Sequence, residues 1–229
     1  VLLHAGYGSG TVWRHQQPAL AQAGHRVIGY SRRGYRHSDP GHPDDPGTAI
    51  ADLNLLLDHL GLGAVHLVGT AAGAIVAAAF ALCRVERVRT LALICSLVTL
   101  DDADYLRRST ALRPAQWSTL PRWFQELGPS YRAADPAGVA AWEAECGEPV
   151  IRQPAGAPVT VTGLAALPRP ILLATGDADL YTPPAMMRAL ARRIPAARTA
   201  VIAESGHSAF WEQPAAVNQL IVDFIAHHR

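Results

Sequence analysis

His207 stands in Ser205-Gly206-His207-Ser208, and an imidazole titrates near neutrality, so it can take a proton at working pH and return it. Asp179, in Gly176-Asp177-Ala178-Asp179, is a carboxylate of the kind that accepts a hydrogen bond from the other ring nitrogen and orients the base. Asp177 competes for that role, with Asp101 or Asp102 a weaker alternative. A third segment, His66-Leu67-Val68-Gly69-Thr70-Ala71-Ala72-Gly73, runs a strand straight into a helix through a turn bounded by glycines. Small flanking residues let such a turn lift its central side chain above a sheet. That central residue is Ala71, and a methyl group cannot attack anything. Thr70 is one residue off the apex, so its hydroxyl is expected to point elsewhere.

The elements that must position these residues alternate between strand and helix at short spacing, the mark of a parallel sheet covered on both faces. Apolar patterning predicts strands over 1–4, 25–30, 64–68, 88–95, 170–175 and 198–202. Helices are predicted over 13–23, from the N-cap Thr48 to Gly61, and over 72–82, 183–194 and 214–227. Between them, 98–168 mixes Asp, Arg, Trp and Pro in helical stretches with one short strand at 159–161. Residues 1–97 and 169–229 therefore read as one α/β core, and 98–168 as a helical insertion. The chain opens on Val1 as a buried strand, so earlier strands of the fold are expected to be missing and 25–30 to be an unpaired edge.

Four further motifs surround the glycine-bounded turn in order: His4-Ala5-Gly6-Tyr7-Gly8-Ser9-Gly10, Arg32-Arg33-Gly34-Tyr35, the Asp179 turn and the His207 loop. Together they resemble the α/β-hydrolase fold family over nearly the whole chain, in the order nucleophile, acid, histidine. The resemblance implies a mostly parallel sheet flanked by helices, with 98–168 as a helical cap inserted after the sixth family strand. It also implies that Ala71 occupies the nucleophile position, with His207 as base and Asp179 as its partner. Backbone N–H groups of Gly6 and Ala72 would form the oxyanion hole, although Ala5 stands where the family more often has Gly. Neither a metal nor an organic cofactor is implied.

Three functions compete. The first is hydrolysis of an ester, lactone or carbon–carbon bond in a small, mostly apolar molecule, by a chain whose nucleophile is missing through engineering or by nature. The second is chemistry by the His207 and Asp179 pair alone, of lyase or cofactor-free dioxygenase type. The third is a noncatalytic small-molecule binding protein. Epoxide hydrolase and dehalogenase readings need a carboxylate at the apex, so Ala71 counts against both. Tyr7, Trp117, Trp123, Phe124 and Trp142 are candidates for the substrate pocket, or equally for the insertion's own core.

Composition excludes other classes. The 229 residues carry 20 basic and 19 acidic groups for a formal charge of +1, so no global field exists to hold nucleic acid or an anionic membrane. All the basic residues are arginine. Arg32, Arg33 and Arg36 are dense enough to imagine an acidic-substrate clamp, but such clusters are more often tied to neighbouring loop carbonyls. The longest uncharged apolar run, 71–83, falls short of the roughly 20 residues a membrane span needs. Cys83, Cys95 and Cys146 are odd in number and widely spaced, which fits reduced thiols in a cytoplasm and builds no zinc site. His37 and His42 likewise lack a metal-ligand pattern.

Overall fold

A computed structural model describes residues 1–96 and 103–228. Six strands, β1 (Leu2–Leu3), β2 (Gly29–Tyr30), β3 (Val65–Thr70), β4 (Val88–Ile94), β5 (Ile171–Gly176) and β6 (Ala197–Ile202), form one sheet in the order β2-β1-β3-β4-β5-β6. Every pairing is parallel. Parallel strands cannot be joined by tight turns, so each return runs through a helix that covers a face of the sheet.

Side-chain alternation divides the core in two. Leu3, Leu67, Leu91, Leu93, Ile171 and Leu173 pack on one face with helices α2 (Ala49–His59), α3 (Ala72–Cys83) and α9 (Pro184–Ala191). Leu2, Val68, Ala92, Ile94, Leu172 and Ala174 pack on the other, beneath α1 (Gln16–Gln22) and α11 (Pro214–Ala226). The eight residues Gly73, Ala74 and Val76–Ala81 of α3 are buried, so this helix is central and its alanine content reflects close backbone approach rather than a membrane role. No helix among the described residues is long and apolar enough to cross a membrane.

The expected strand over 25–30 contracts to Gly29–Tyr30. It pairs with β1 alone and so forms the sheet edge. A two-residue neighbour offers it no longer ladder, although Leu2 N still donates to Ile28 O at 2.8 Å. The expected helix over 13–23 divides into a 3-10 turn, Gly10–Trp13, and α1. The expected strand at 159–161 does not form. Val159 is buried in the first core, and the Thr160 hydroxyl accepts from Gly163 N at 3.0 Å to cap helix α8 (Val161–Ala166), a local bond that competes with any ladder.

Between β4 and β5 the described chain carries helices α4 (Ala103–Ala111), α5 (Arg122–Glu126), α6 (Pro129–Ala134), α7 (Pro136–Glu145) and α8, with residues 146–160 as irregular chain between the last two. Helix α10 (Ala209–Glu212) follows the His207 loop. The loops bearing Gly6, Ala71, Asp179 and His207 all leave the carboxyl ends of strands, the edge where open parallel sheets bind ligands.

Candidate active site

Ala71 joins β3 to α3 with φ 48° and ψ −117°, a conformation that costs a residue with a Cβ about 1–3 kcal/mol. Neighbouring bonds hold it there: Ala71 N donates to Ile94 O at 3.0 Å, and Ala74 N to Ala71 O at 3.1 Å. The flanking glycines are required by close approach. A Cβ on Gly69 would lie 2.6 Å from the Ala74 backbone, and one on Gly73 would run into the carbonyl oxygens of Leu3 and His4. Thr70 is fully buried with no partner for its hydroxyl among the described residues, and alternation places it on the face of Val68 rather than at the apex.

Asp179 and His207 meet across the ends of β5 and β6. His207 Nδ1 donates to Asp179 Oδ2 at 2.8 Å, which leaves Nε2 without a partner among the described residues. Asp179 is 1% exposed, and its Oδ1 accepts from Tyr181 N at 2.7 Å and Thr182 N at 2.8 Å. Burial alone would raise its pKa, but His207 and these amides hold it below the ordinary value. Burial would conversely lower the His207 pKa, yet the Asp179 and Glu126 carboxylates outweigh it and raise it to about 9. The two carboxylates thus favour the protonated imidazole, the charge state His207 reaches when it takes a proton. Asp177 does other work, accepting from Glu204 N and Ser205 N at 3.0 and 3.1 Å and so folding the histidine loop. Asp101 and Asp102 lie outside the described residues.

Several neighbours of His207 gave no sequence signal of their own. The Tyr181 ring lies 4.5 Å from the imidazole, and its hydroxyl donates to Gln125 Oε1 at 2.8 Å. Buried Glu212 accepts from Gly206 N at 3.0 Å and from Gly128 N at 2.7 Å. Cys95, fully buried at the end of β4, forms with Asp179 and His207 a trio whose ligand atoms lie within 4.8 Å of one another. That spacing could admit a metal ion, but the Asp179 oxygens and His207 Nδ1 are already committed to the bonds described. Burial also pushes the Cys95 thiol well up, with Asp179 adding to it. Only Tyr181, two residues past the acid, was within reach of a local reading.

The first loop is fixed by a buried network. His4 Nδ1 donates to Ala5 O at 2.8 Å, its Nε2 accepts from Arg32 N at 3.0 Å, and Arg32 Nη2 donates to the carbonyls of His4 and Ala5. Burial, aided by Arg32, lowers the His4 pKa to about 3, so this ring is neutral and structural. Arg33 forms a forked pair with Asp52, and Arg36 donates to Ala144 O at 2.6 Å. The three arginines are thus tied to the protein itself. The loop presses on the elbow: a Cβ on Gly6 would sit 3.4 Å from that of Ala72. Neither the Gly6 nor the Ala72 amide has a hydrogen-bond partner among the described residues.

The aromatic candidates separate. Trp117 lies 5.3 Å from the Tyr181 ring that covers His207. Tyr7, half-buried beside Gly6, is 5.5 Å from Trp142, which is 1% exposed and part of the second core. Trp123 packs against that core and Phe124 beneath Arg132. A cavity of about 350 Å³ opens at the far end of β3, among Val1, Leu20, His25, Leu62 and Ile225, away from Ala71.

With this geometry in view, the chain matches the profile described as "Alpha/beta hydrolase family" over residues 1–220. A Mycobacterium tuberculosis protein provisionally named non-heme bromoperoxidase BpoC is 27% identical over 249 residues, covering 96% of this chain and 90% of that one. The solved thermophilic esterase of Thermogutta terrifontis is 27% identical with TM-score 0.80, covering 100% and 89%. The enol-lactonase of Burkholderia xenovorans shares the fold at 21% identity and TM-score 0.76, covering 98% and 90%.

Proposed function

The chain belongs to the alpha/beta hydrolase family, and from that premise we propose that its site is built for acyl transfer from a small ester or lactone, with the nucleophile's place filled by Ala71. The strained apex carries this reading. A plain strand-to-helix connection has no need of φ 48° at a residue with a side chain, whereas an elbow that must project a nucleophile does. The unpartnered amides of Gly6 and Ala72 support an oxyanion hole beside it. The esterase and enol-lactonase among its structural neighbours favour the ester and lactone classes. Residues 98–168 are the proposed cap, because α5 and the turn after it meet the His207 loop.

In this reading a hydroxyl at position 71 attacks the carbonyl carbon while His207 Nε2 takes its proton. The amides of Gly6 and Ala72 hold the negative oxygen, and Asp179 stabilises the imidazolium. His207 then returns the proton to the departing alkoxide, leaving an acyl-enzyme that water attacks with His207 again as base. As it stands the chain keeps the base, its partner and the hole but cannot form the acyl bond.

Ala71→Ser tests the proposal with p-nitrophenyl acetate. The substitution should create hydrolysis where the parent chain shows almost none, since loss of such a serine elsewhere costs about six orders of magnitude. Adding His207→Ala should abolish the gain. A second reading has one observation in its favour: the His207 and Asp179 pair is fully formed in a chain whose elbow position holds Ala71. It assigns proton abstraction to His207 alone, and it prevails if Ala71→Ser folds but hydrolyses no ester while the parent turns over a carbon acid in a His207-dependent way.

A further inference from the structure

Arg113 is set apart from the other arginines near the site by the ring it rests on. Its guanidinium carbon lies 4.6 Å from the centre of the Tyr181 ring and 5.7 Å from that of Trp117. Tyr181 in turn lies 4.5 Å from the His207 imidazole, so the guanidinium is no farther from the base than these two separations laid end to end. Its Nε donates a long 3.4 Å bond to Leu180 O. The two Nη groups have no acceptor, and no carboxylate pairs with the side chain, among the described residues.

Arg122 pairs with Glu148 at 3.0 Å, and Arg32, Arg33 and Arg36 are tied to the first loop, to Asp52 and to α7. Arg132 is bound in the same manner as Arg113, its Nε 3.4 Å from Gly128 O and its guanidinium over Phe124 at 3.8 Å, but it rests on Phe124 and Trp123 rather than on the Tyr181 ring against His207. A planar guanidinium held by two aromatic faces with its outer fork unfilled matches a carboxylate, which takes two parallel N–H bonds. The aromatic stack fixes the fork's orientation before any ligand arrives, so less side-chain entropy is lost on binding.

We propose that Arg113 is a substrate-binding residue, and that the site takes esters or lactones carrying a carboxylate a few bonds from the reacting carbonyl. This narrows the mostly apolar substrate expected from composition and rests on the acyl-transfer reading only for the word ester, because the anion contact is a binding property. Arg113 already acts electrostatically on the base, since its charge opposes the raising of the His207 pKa. An anion on the fork would cancel that opposition and make His207 a stronger base while substrate is bound.

The test uses the parent chain, in which Ala71 prevents turnover. Monomethyl succinate and dimethyl succinate are titrated calorimetrically, with tryptophan emission as a second reading because Trp117 borders the fork. The monoanion should bind at least about tenfold tighter, a difference worth about 1.4 kcal/mol. Arg113→Gln should erase the preference, Arg113→Lys should keep part of it, and Arg132→Gln should leave it intact, with thermal melts confirming that each variant folds. Equal affinity for the two esters, binding of neither, or a preference that survives Arg113→Gln overturns the proposal. An Ala71→Ser variant without esterase activity removes the hydrolase reading and leaves this result standing.

Discussion

The backbone carbonyl of Glu126 accepts the amide of His207 at 2.7 Å. It also accepts that of Ser208 at 3.1 Å, while the Glu212 carboxylate joins Gly128 N to Gly206 N. His207 is therefore mounted as much on the helical segment between β4 and β5 as on the sheet. Orientation of His207 depends on two regions far apart in sequence, so loosening either misplaces the imidazole without touching it.

Glu212 gives the first prediction. Burial pushes its pKa up to about 7, the amides of Gly206, Gly128 and Ser208 pulling the other way. The folded chain thus keeps a proton that the unfolded chain releases above about 4.5. This contribution to stability is full below that value and is lost as pH rises to about 7. Urea unfolding should show Glu212→Gln flattening this part of the pH dependence. Glu212→Ala should cost about 3 kcal/mol, because two buried amides lose their acceptor.

His207 gives the second. With its folded pKa raised to about 9 from 6.5, its contribution to stability is full below 6.5 and declines as pH rises through 9. Glu126→Gln removes one of the two carboxylates that raise it. The imidazole titration followed by proton NMR should then move to lower pH, and in an Ala71→Ser background the rise of activity with pH should move the same way. An unmoved titration would mean that Glu126 acts on His207 only through its backbone carbonyl.

Local pattern carried the architecture because parallel strands buried on both faces are continuous apolar runs, as in Leu67-Val68 and Leu91-Ala92-Leu93-Ile94. Gly69 and Gly73 were legible for a related reason: the backbones of Ala74 and Leu3 come too close for any side chain. Boundaries failed where tertiary pairing overrides propensity. Val27 and Ile28 carry a strand-like apolar pair but only Gly29–Tyr30 enter the ladder with β1, and Thr160 gives its hydroxyl to a helix cap. Spacing to Pro183 favoured Asp179 over Asp177, and the hydrogen bond to His207 lies on that side. Glu126 and Arg113 were illegible because their approach to His207 is made by folding alone. The aromatic pattern between β4 and β5 could not separate Trp142, a core residue, from Trp117, whose ring reaches the Tyr181 stack.

The two aspartates of one turn supply the last prediction, since they differ by two positions and bind different things. Asp179 is the anion against His207, whereas Asp177 accepts, among the described residues, from the backbone amides of Glu204 and Ser205. Asp179→Asn keeps the shape but removes the charge that stabilises imidazolium and holds its tautomer. In a different enzyme with such a triad the same change lowers turnover about 10⁴-fold, and an Ala71→Ser, Asp179→Asn chain should lose esterase activity on that scale. Asp177→Asn retains one acceptor oxygen, so it should cost about 1 kcal/mol of stability and less than about tenfold in rate. The parent chain offers a check that needs no turnover: by NMR, Asp179→Asn should lower the His207 pKa sharply while Asp177→Asn leaves it nearly in place. Equal shifts from both substitutions would mean that the turn as a whole, rather than one carboxylate, sets the charge of the base.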